Sequence, residues 1–393
     1  MPIEQQSPVI ESIDRQYWEE IRRAVSQALA RGALSLEDVC RLSDGAPPNL
    51  VRAILQDDAI DPFSGDAGSR TERVSLGASY GAWPEASPMD HEWRFTERSA
   101  AYVASLVSNC EAPVLCIGTP TVFAALSMVG QPVTLVERNP ILARFLSLRF
   151  GPNVLTTDVA DLPSATVGRQ YRTIVLDPPW YSDHVLFWVH QALMAAEPNA
   201  RILISLFSSL TRPSARSERA DLMSLLSSRV GALRVLSQLT YVTPFFEQET
   251  FRAAGLPDCP EWRTGDLIEL RVENSQGMGI SEPPREPSWM HFVFGSQVVG
   301  VRTDSCREGE LELAPLYPDG SYLLKSVSRR DPVRSSIGIW TSRNRCARVL
   351  GTARLAQILG RLQAGETPLQ VSRASESEGE MLALHRLFAL VGI

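Results

Sequence analysis

The sequence predicts an α/β protein built on a doubly wound, largely parallel sheet, with a small helical domain before it and an α+β appendage after it. Short apolar runs alternate with helical patterns between about residues 95 and 240, which is typical of such sheets. Helical spacing dominates the first sixty residues, and short alternating segments appear from Pro284 onward. With 393 residues, the chain is long enough for one large core and additional domains.

The composition is that of an ordinary globular protein, with 44% apolar and 21% charged residues. No apolar run reaches the ~18 residues that a bilayer span needs, so we expect no membrane partner. The six cysteines are scattered without a CxxC pair, which argues for reduced thiols and against a structural metal. The first thirty residues are polar and acidic rather than signal-like. The sequence therefore predicts a cytoplasmic protein with no metal site.

Residues 1–60 are predicted to form a helical domain. Apolar residues keep helical spacing over 13–31. Ser35 precedes two acids, as an N-cap does, and opens a short helix that ends at Leu42. A turn at 45–48 then leads into a third helix from Leu50.

Three short helices with such a turn resemble a helix-turn-helix or winged-helix unit. The third predicted helix offers a single base, Arg52, to a nucleic acid. We therefore favour a packing or dimerisation role over DNA binding. Residues 61–90 are rich in Gly, Ser, Pro and Asp and are predicted to be a linker.

Five apolar segments predict the parallel strands of a central domain at 91–275. They are Pro113–Gly118, Val133–Val136, Val154–Thr157, Tyr171–Leu176 and Arg201–Leu206. One intervening helix is predicted from Pro120 through Met128, capped by Thr119 or Thr121, and another over 140–150.

Three of these strands are followed by an acidic residue. Glu137 ends the second strand about 20 residues after the glycine turn, where nucleotide-binding sheets place a carboxylate for ribose hydroxyls. Asp158 follows the third strand, where it can accept from an adenine amine, and Asp177 follows the fourth. Because ligands of such sheets bind beyond the carboxyl ends of the strands, these acids predict a ligand site there.

The segment Asp177-Pro178-Pro179-Trp180, followed by Tyr181, is the most informative motif of the chain. Proline fixes its own φ and restricts the residue before it, so this corner is rigid. A planar amine fits between the Asp177 carboxylate, a nearby backbone carbonyl and the two aromatic rings. That arrangement suits the transfer of a methyl group to a nitrogen.

The order of the motifs extends this interpretation. A segment of aromatic residues and a threonine, Trp93 to Thr96, precedes the first strand, and a small-Pro-small turn, Gly118 to Phe123, follows it. Glu137, Asp158 and the Asp-Pro-Pro-Trp corner come next. Over residues 91–208 this order resembles class I S-adenosylmethionine-dependent methyltransferases of the N6-adenine type. Its motif order is close to that of enzymes first described as adenine methyltransferases and later assigned to elongation-factor lysine.

The resemblance implies S-adenosylmethionine as cofactor and assigns two sets of residues. The cofactor-binding set is Phe95, Thr96, Gly118, Thr119, Pro120, Thr121, Glu137, Arg138, Asn139, Asp158 and Val159. The catalytic set is Asp177, Pro178, Pro179, Trp180 and Tyr181. The chain departs from the common GxGxG loop, because one glycine remains in that turn. Backbone contact with the cofactor then relies on N–H groups at the start of the following helix.

These features predict an N-methyltransferase that acts by direct in-line displacement, with adenine N6 in nucleic acid as the favoured substrate. A protein lysine or a small-molecule amine is the alternative. A helical head before a core with Asp-Pro-Pro also resembles branched-polyamine synthases, which transfer aminopropyl groups. Those enzymes carry an acidic cluster where this chain has Gly118-Thr119-Pro120, so this activity ranks lower. A non-catalytic scaffold is a further alternative.

The last third, 284–393, is predicted to be an α+β domain with short strands, two terminal helices and a solvated acidic loop at 375–380. Nine basic residues and one acid lie within Lys325–Arg361, a net charge of +8 against −15 for the remainder of a chain with net charge −7. Such a segment can contact nucleic acid phosphates, with Trp340 available for stacking. The alternative is a cationic face paired with acidic residues. A protein substrate and a homodimer are also compatible with the sequence.

Overall fold

The computed structural model describes residues 14–58, 83–108, 113–162, 171–274, 284, 286–304, 309–325, 328–375 and 377–392. The chain divides into two compact units. The first comprises Met1–Pro84, Trp93–Thr243 and Gly255–Pro284, and the second comprises Glu85–Glu92, Pro244–Ala254 and Arg285–Ile393. Most of the predicted linker and the predicted helix start at Ile13 lie outside the described residues. The boundaries predicted for the four segments stay predictions.

An eight-stranded sheet forms the centre of the first unit. Its strands are β1 (Arg94–Phe95), β2 (Val114–Ile117), β3 (Val133–Glu137), β4 (Val154–Thr156), β5 (Tyr171–Leu176), β6 (Ala196–Phe207), β7 (Leu233–Val242) and β8 (Thr264–Arg271). The strand order is β1-β7-β8-β6-β5-β2-β3-β4. Strands β2 to β6 pair in parallel, whereas β8 is antiparallel to both of its neighbours.

The predicted Rossmann-like fold class is therefore confirmed. Strands β2 and β5 are almost continuously apolar and buried, because helices cover both faces of a parallel sheet. The helices of this unit are α1 (Arg15–Ala30), α2 (Leu36–Leu42), α3 (Pro48–Asp57), α4 (Glu97–Ser108), α5 (Pro120–Met128), α6 (Pro140–Phe150), α7 (Ser182–Ala195) and α8 (Ala215–Arg229). A short 3-10 helix covers Val159–Asp161.

The first three helices pack on one another and on the sheet loops of their own unit. The Ser35 hydroxyl caps α2 by accepting from the Asp38 N–H at 3.1 Å, as predicted. The third helix begins at Pro48 rather than Leu50, because proline suits the first helical turn, where its missing N–H has no partner to lose. The Tyr17 hydroxyl donates to the Leu210 carbonyl at 2.7 Å, which ties α1 to the segment after β6.

A helix follows the end of β7. Strand β7, which pairs with β8 as its antiparallel neighbour, ends at Val242, and the helix begins at Phe245. Pro244 has no N–H for a sheet ladder, and it precedes this helix as its N-cap. The helix, α9 (Phe245–Ala253), belongs to the second unit.

The second unit is an antiparallel sheet with helices packed on it. Its strands are β9 (Trp289–Phe294), β10 (Gln297–Arg302), β11 (Glu312–Ala314), β12 (Ile339–Thr341) and β13 (Cys346–Leu350), in the order β11-β13-β12-β10-β9. Its later helices are α10 (Thr352–Gln363), α11 (Pro368–Arg373) and α12 (Glu378–Val391). One of the short strands that the alternating pattern of this region predicts, at Tyr322–Leu324, is reduced to a single bridge between Leu323 and Arg345.

Several basic side chains of Lys325–Arg361 pair with acids of the same unit. The pairs are Lys325–Asp319, Arg329–Glu286, Arg345–Glu249, Arg354–Glu380 and Arg361–Glu366. Glu380 is buried, with 4% of its surface exposed, so the loop predicted to be solvated is wrong at this residue. Trp340 is likewise buried, at 4% exposed, and it packs against His91 and Trp289, so it is not available for stacking.

Four of the cysteines lie in the described part of the chain, and each is a free, buried thiol: Cys40, Cys116, Cys259 and Cys346. None of the described helices has both the length and the apolar composition that crossing a bilayer requires. Within the same described residues, His, Cys, Asp and Glu side chains form no group of three or more that could hold a metal ion.

Candidate active site

The Asp-Pro-Pro-Trp corner joins the end of β5 to the start of α7. The Asp177 N–H donates to the Ile117 carbonyl at 3.3 Å, which fixes the corner to the neighbouring strand β2. The Tyr181 N–H donates back to the Pro179 carbonyl at 2.7 Å, and Tyr181 is the N-cap residue of α7. Pro178 is buried between them. The corner is thus fixed at both ends by backbone hydrogen bonds, as its two prolines predict.

A chain of hydroxyl groups reaches the Asp177 carboxylate from the interior of the sheet. The Tyr241 hydroxyl donates to Asp177 Oδ1 at 2.7 Å, and the Ser205 hydroxyl lies 2.5 Å from the same tyrosine oxygen. Burial raises the pKa of Asp177 to about 7, although the Tyr241 hydrogen bond and the charge of Arg263 act in the opposite direction. Burial and the Asp177 charge raise the pKa of the Tyr241 phenol well above its ordinary value. Asp177 therefore exchanges its proton near neutral pH.

An arginine lies between two tryptophans beside this carboxylate. The Arg263 Cζ atom is 4.1 Å from the centroid of the Trp180 ring and 4.3 Å from that of Trp93. The Trp180 ring also meets Tyr241 edge-on at 5.5 Å, and 8% of its surface is exposed. A guanidinium stacked on aromatic rings keeps its charge while its position is restricted. The site therefore contains a fixed cation next to Asp177.

A second arginine, Arg212, stacks on the ring of Tyr181. The Arg212 Cζ atom is 5.1 Å from the Tyr181 ring centroid and 4.3 Å from that of Phe207 at the end of β6. Arg212 is paired with Glu218 of α8. The His184 ring lies 6.1 Å from Tyr181, on the first turn of α7.

The turn after β2 leads directly into α5. Gly118 has φ +63°, a conformation that residues with a Cβ rarely adopt. A Cβ at this position would be 2.8 Å from the Trp188 ring and 3.6 Å from the Asp177 carbonyl oxygen. Thr119 is the N-cap of α5 and Pro120 is its first residue. The backbone of this turn therefore passes close to the Asp-Pro-Pro-Trp corner. A single glycine, Gly118, is sufficient for that close approach.

The first residues of α5 have no side-chain cap. The Thr119 and Thr121 side chains are buried, at 1% and 2% exposed, and Thr119 accepts no capping hydrogen bond from the helix. The first N–H groups of a helix have no intrahelical acceptor. Because Pro120 has no N–H, these groups belong to the residues that follow it. This is the donor set on which a cofactor contact would depend.

The acid that ends β3 and the acid that follows β4 both have partners in the segment just after β3. Glu137 is buried, and its Oε1 accepts from the Asn139 N–H at 2.8 Å. Asn139 Oδ1 in turn caps α6, accepting from the N–H of Ile141 at 3.1 Å. Arg138 Nη1 lies 3.4 Å from Asp158 Oδ2, which places the two strand ends side by side. The sheet edge therefore presents two carboxylates in fixed positions.

Asp158 also caps the short helix that starts with Val159. Its Oδ1 accepts from the Ala160 N–H at 2.9 Å, while its other oxygen faces Arg138. Val159 is buried, at 6% exposed.

The aromatic segment before the first parallel strand forms β1, which pairs with β7. Phe95 lies opposite Tyr241 in the ladder, with ring centroids 4.8 Å apart. The Thr96 side chain accepts from the Ser99 N–H at 3.2 Å and thereby caps α4. Phe95 is thus brought to Tyr241, the residue that hydrogen-bonds Asp177, whereas Thr96 contacts Ser99 and the Thr240 carbonyl.

The structure brings the predicted residues to one edge of the sheet through two sets of contacts. Gly118 and Asp177 meet in one, and Arg138 and Asp158 meet in the other. The sequence did not assign Ser205, Tyr241 or Arg263 to the site. A tyrosine in a strand interior is the available signal, because a buried phenol needs a hydrogen-bond partner. The predicted position of a planar amine between Asp177 and the rings of Trp180 and Tyr181 stays a prediction.

No protein-family model matches the chain, and a search of curated proteins finds no match. Among solved structures, the branched-chain polyamine synthase of Thermus thermophilus, in complex with N4-aminopropylspermidine and 5'-methylthioadenosine, is 18% identical. It aligns with 66% of this chain and 93% of its own, with a TM-score of 0.48.

Two methyltransferase structures are also similar. The 16S rRNA N2 G1207 methyltransferase of T. thermophilus, in complex with AdoMet and guanosine, is 10% identical over 53% of this chain and 47% of its own, with a TM-score of 0.32. An N-methyltransferase of Bradyrhizobium japonicum, in complex with S-adenosyl-L-homocysteine, is 11% identical over 45% of this chain and 87% of its own, with a TM-score of 0.30. At these identities the similarity concerns the fold.

Proposed function

We propose that this protein is an S-adenosylmethionine-dependent N-methyltransferase that transfers a methyl group to an amine nitrogen. The observation that carries the proposal is the set of three carboxylates at one edge of the sheet. Glu137 is the last residue of β3, Asp158 and Asp177 come just after β4 and β5, and Asp177 stands in a rigid Asp-Pro-Pro-Trp corner. Ligands of open α/β sheets bind at this edge.

The residues at the sheet edge fit this cofactor in their chemistry. A carboxylate at Glu137 suits a ribose diol, and a carboxylate at Asp158 suits an exocyclic amine. The close backbone turn at Gly118 and the N–H groups at the start of α5 suit the polar end of the methionine part. These donors and acceptors are held by hydrogen bonds within the protein, so little ordering remains for binding.

S-adenosylmethionine, when bound, supplies an electrophilic methyl group on a sulfonium. The Asp177 carboxylate accepts an N–H of the substrate amine and holds the nitrogen lone pair in a defined direction. A carbonyl of the Pro178–Pro179 segment accepts the second N–H. The nitrogen would take the methyl carbon as the carbon–sulfur bond breaks and the neutral thioether leaves. The proton that the nitrogen loses can pass to Asp177, whose pKa of about 7 suits it as an acceptor. The contribution of the protein is alignment and exclusion of water.

The fixed charge of Arg263 favours a neutral amine as substrate. A guanidinium beside the reacting position opposes an ammonium group or a polyamine, because like charges in a buried site repel strongly. Adenine N6 is neutral, so this electrostatic argument supports it over a lysine ammonium and over the polyamine of an aminopropyl transfer. Adenine N6 in nucleic acid remains the favoured substrate, and an aliphatic amine is the alternative.

Calorimetry of the full chain with S-adenosylmethionine and S-adenosylhomocysteine tests the cofactor part of the proposal. We expect micromolar binding that Asp158→Ala weakens about tenfold or more, since a charged hydrogen bond contributes about 1.5–3 kcal/mol. Asp161→Ala is the matched control, because Asp161 is an exposed acid in the same short helix. Absence of binding by the folded wild-type chain would overturn the proposal.

A second experiment identifies the substrate. The protein is incubated with methyl-labelled cofactor and, separately, with single-stranded adenine-containing RNA, DNA and a protein fraction. Label recovered in methyladenine after nuclease digestion supports the adenine assignment. Label in protein or in a small amine instead supports the alternative and contradicts the argument from Arg263.

A further inference from the structure

We propose that Arg263 is a substrate-binding residue, which contacts a phosphate on the nucleotide that bears the target amine. The inference rests on the proposed function, since it places that phosphate beside the amine held at Asp177. It concerns the first unit alone, because Trp93, Asp177, Trp180 and Arg263 all belong to that unit. Its basis is a guanidinium group whose faces are covered by rings and whose N–H groups have no acceptor in the protein.

Two indole rings cover the guanidinium of Arg263. Its Cζ atom is 4.1 Å from the centroid of the Trp180 ring and 4.3 Å from that of Trp93. Stacking of this kind restricts the position of the side chain while the positive charge is kept. The N–H donors of a guanidinium lie in its plane and point outward, so rings on its faces leave these donors available for another partner.

The protein supplies no acceptor for these donors. Among the described residues, no hydrogen-bond acceptor and no carboxylate within ion-pair distance faces the Arg263 guanidinium. Asp177 acts on it through its charge alone, from beyond that distance. Arg212, the arginine stacked on Tyr181, is by contrast paired with Glu218. Because Arg263 is half-buried, its donors can be reached from solvent, and a ligand that covers the site must supply their acceptor.

The backbone fixes where this cation lies. The Tyr241 N–H donates to the Arg263 carbonyl at 3.0 Å, and β8 begins at the next residue, Thr264. Gly265 then leaves room for the Trp180 ring, since a Cβ at this position would be 2.7 Å from Trp180 Cζ2. The position of Arg263 relative to the Asp-Pro-Pro-Trp corner is therefore set by the sheet before any substrate binds.

A phosphate is the anion that suits both the arginine and the proposed substrate. A planar guanidinium fork matches the paired oxygens of a phosphate or of a carboxylate. An adenine is carried by a nucleotide, whose anionic group is phosphate. The neutral amine then avoids the positive charge of Arg263, while the phosphate of the same molecule meets it.

The shared ring places the two contacts side by side. Trp180 belongs to the corner that receives the amine, and its ring also covers Arg263. A nucleotide with its amine at Asp177 can therefore extend its phosphate to Arg263 along this ring. The terminal phosphate of a mononucleotide and the phosphodiester of a strand both provide the required group.

Calorimetry of the full chain, with S-adenosylhomocysteine present, tests the inference through binding rather than turnover. The probes are adenosine, adenosine monophosphate and a short single-stranded oligonucleotide that contains one adenine. We expect at least one phosphate-bearing probe to bind about tenfold or more tightly than adenosine, the gain expected from a charged hydrogen bond. Tighter binding of the mononucleotide assigns a terminal phosphate, and tighter binding of the oligonucleotide assigns a phosphodiester.

Arg263→Gln should abolish this preference for phosphate and leave the affinity for adenosine within about twofold. Arg263→Lys keeps the charge and should bind the phosphate-bearing probes more tightly than Arg263→Gln does. The control is Arg229→Gln, because Arg229 is an exposed arginine at the end of α8. Helix α8 leads from the end of β6 to the start of β7, so Arg229 lies at the opposite edge of the sheet. This control should change each affinity less than about twofold.

Three results would overturn the inference. They are equal affinities of the wild-type chain for adenosine and both phosphate-bearing probes, an equal loss of adenosine binding in Arg263→Gln, and no binding of any probe by a chain that binds S-adenosylhomocysteine. Failure of the proposed function gives a different result, because the folded wild-type chain would then bind neither S-adenosylmethionine nor S-adenosylhomocysteine. In that case the inference falls with the function on which it rests.

Discussion

Two carboxylates of the same sheet, Asp177 at the end of β5 and Glu269 within β8, are set in opposite environments. Glu269 is buried, at 2% exposed, and three guanidinium groups surround it: those of Arg201, Arg234 and Arg271. Burial alone would raise its pKa, but the hydrogen bonds and charges of Arg234 and Arg201 outweigh burial and lower it. Asp177 instead accepts from the Tyr241 hydroxyl, which itself contacts the Ser205 hydroxyl, and the stacked guanidinium of Arg263 lies nearby. The pKa of Asp177 is raised to about 7.

The difference separates a carboxylate whose charge is fixed from one whose pKa lies near neutrality. Direct ion pairs keep Glu269 charged at every physiological pH, so it acts as a structural anchor between adjacent strands. Hydroxyl partners satisfy Asp177 without fixing its charge, so it can gain or lose a proton near neutrality. Substitutions at each carboxylate should therefore affect different properties.

The largest effect is expected from Asp177→Asn on methyl transfer. The amide keeps the shape and can still accept from Tyr241, but it cannot take the proton from the amine. We expect a loss of about 10²- to 10⁴-fold in rate, the usual contribution of a general base. The measurement is single-turnover methyl transfer with saturating cofactor, beside calorimetry to show that cofactor binding persists. Near wild-type rates would show that Asp177 does not accept the proton of the amine.

Glu269→Gln should act on stability instead. Removing one partner of a buried ion pair leaves the arginines uncompensated and costs about 3–5 kcal/mol of unfolding free energy. Because the folded-state pKa of Glu269 is lowered, its contribution is complete above the pKa of the unfolded chain, near 4.3, and is lost as the pH falls through the folded-state value. Urea unfolding at pH 7 and pH 4 measures this, with exposed Glu273→Gln as control. A loss of activity per folded molecule would contradict the separation of roles.

Tyr241→Phe should move the pH dependence of the reaction. The Tyr241 hydroxyl stabilises the charged form of Asp177, so its removal raises the pKa of Asp177 further. A hydrogen bond to a charged group contributes about 1.5–3 kcal/mol, which corresponds to a shift of about 1–2 pH units. The rising limb of the pH–rate profile should move to higher pH by that amount, and carbon NMR of the Asp177 carboxyl should report the same shift. Tyr102→Phe is the control, because Tyr102 is an exposed tyrosine of α4. A pH–rate profile that Tyr241→Phe leaves unchanged would contradict a role of the Tyr241 hydroxyl in setting the pKa of Asp177.

The smallest effect concerns the pH dependence of stability at Asp177. Its raised pKa means that the folded chain holds a proton that the unfolded chain, with a pKa near 3.9, has already released. Its favourable contribution is therefore complete below about pH 4 and is lost as the pH rises through about 7. Asp177→Asn should be more stable than the wild type at pH 8, by on the order of 1 kcal/mol, and should lose most of this advantage by pH 4. Thermal melting at the two pH values measures the difference.

The main sheet could be predicted from the sequence because parallel strands buried on both faces appear as continuous apolar runs. Strand β5, from Tyr171 to Leu176, begins and ends where its pattern indicates, whereas β6 begins five residues before the predicted Arg201. The start of β6 includes Glu197 and Pro198, which interrupt the apolar run. The edge strand β1 and its neighbour β7 are harder to recognise, since β1 is two residues long and β7 carries exposed polar residues.

The sequence alone determined the class of the sheet, the Asp-Pro-Pro-Trp corner and the acids at three strand ends, because these depend on local backbone rules and on strands of fixed direction. The tertiary structure decided which side chains meet there. Tyr241 and Ser205 come from β7 and β6, and Arg263 precedes β8, so neither spacing nor composition places them beside Asp177. The protonation of that carboxylate depends on burial and on these distant partners, and both arise only when the sheet closes around it.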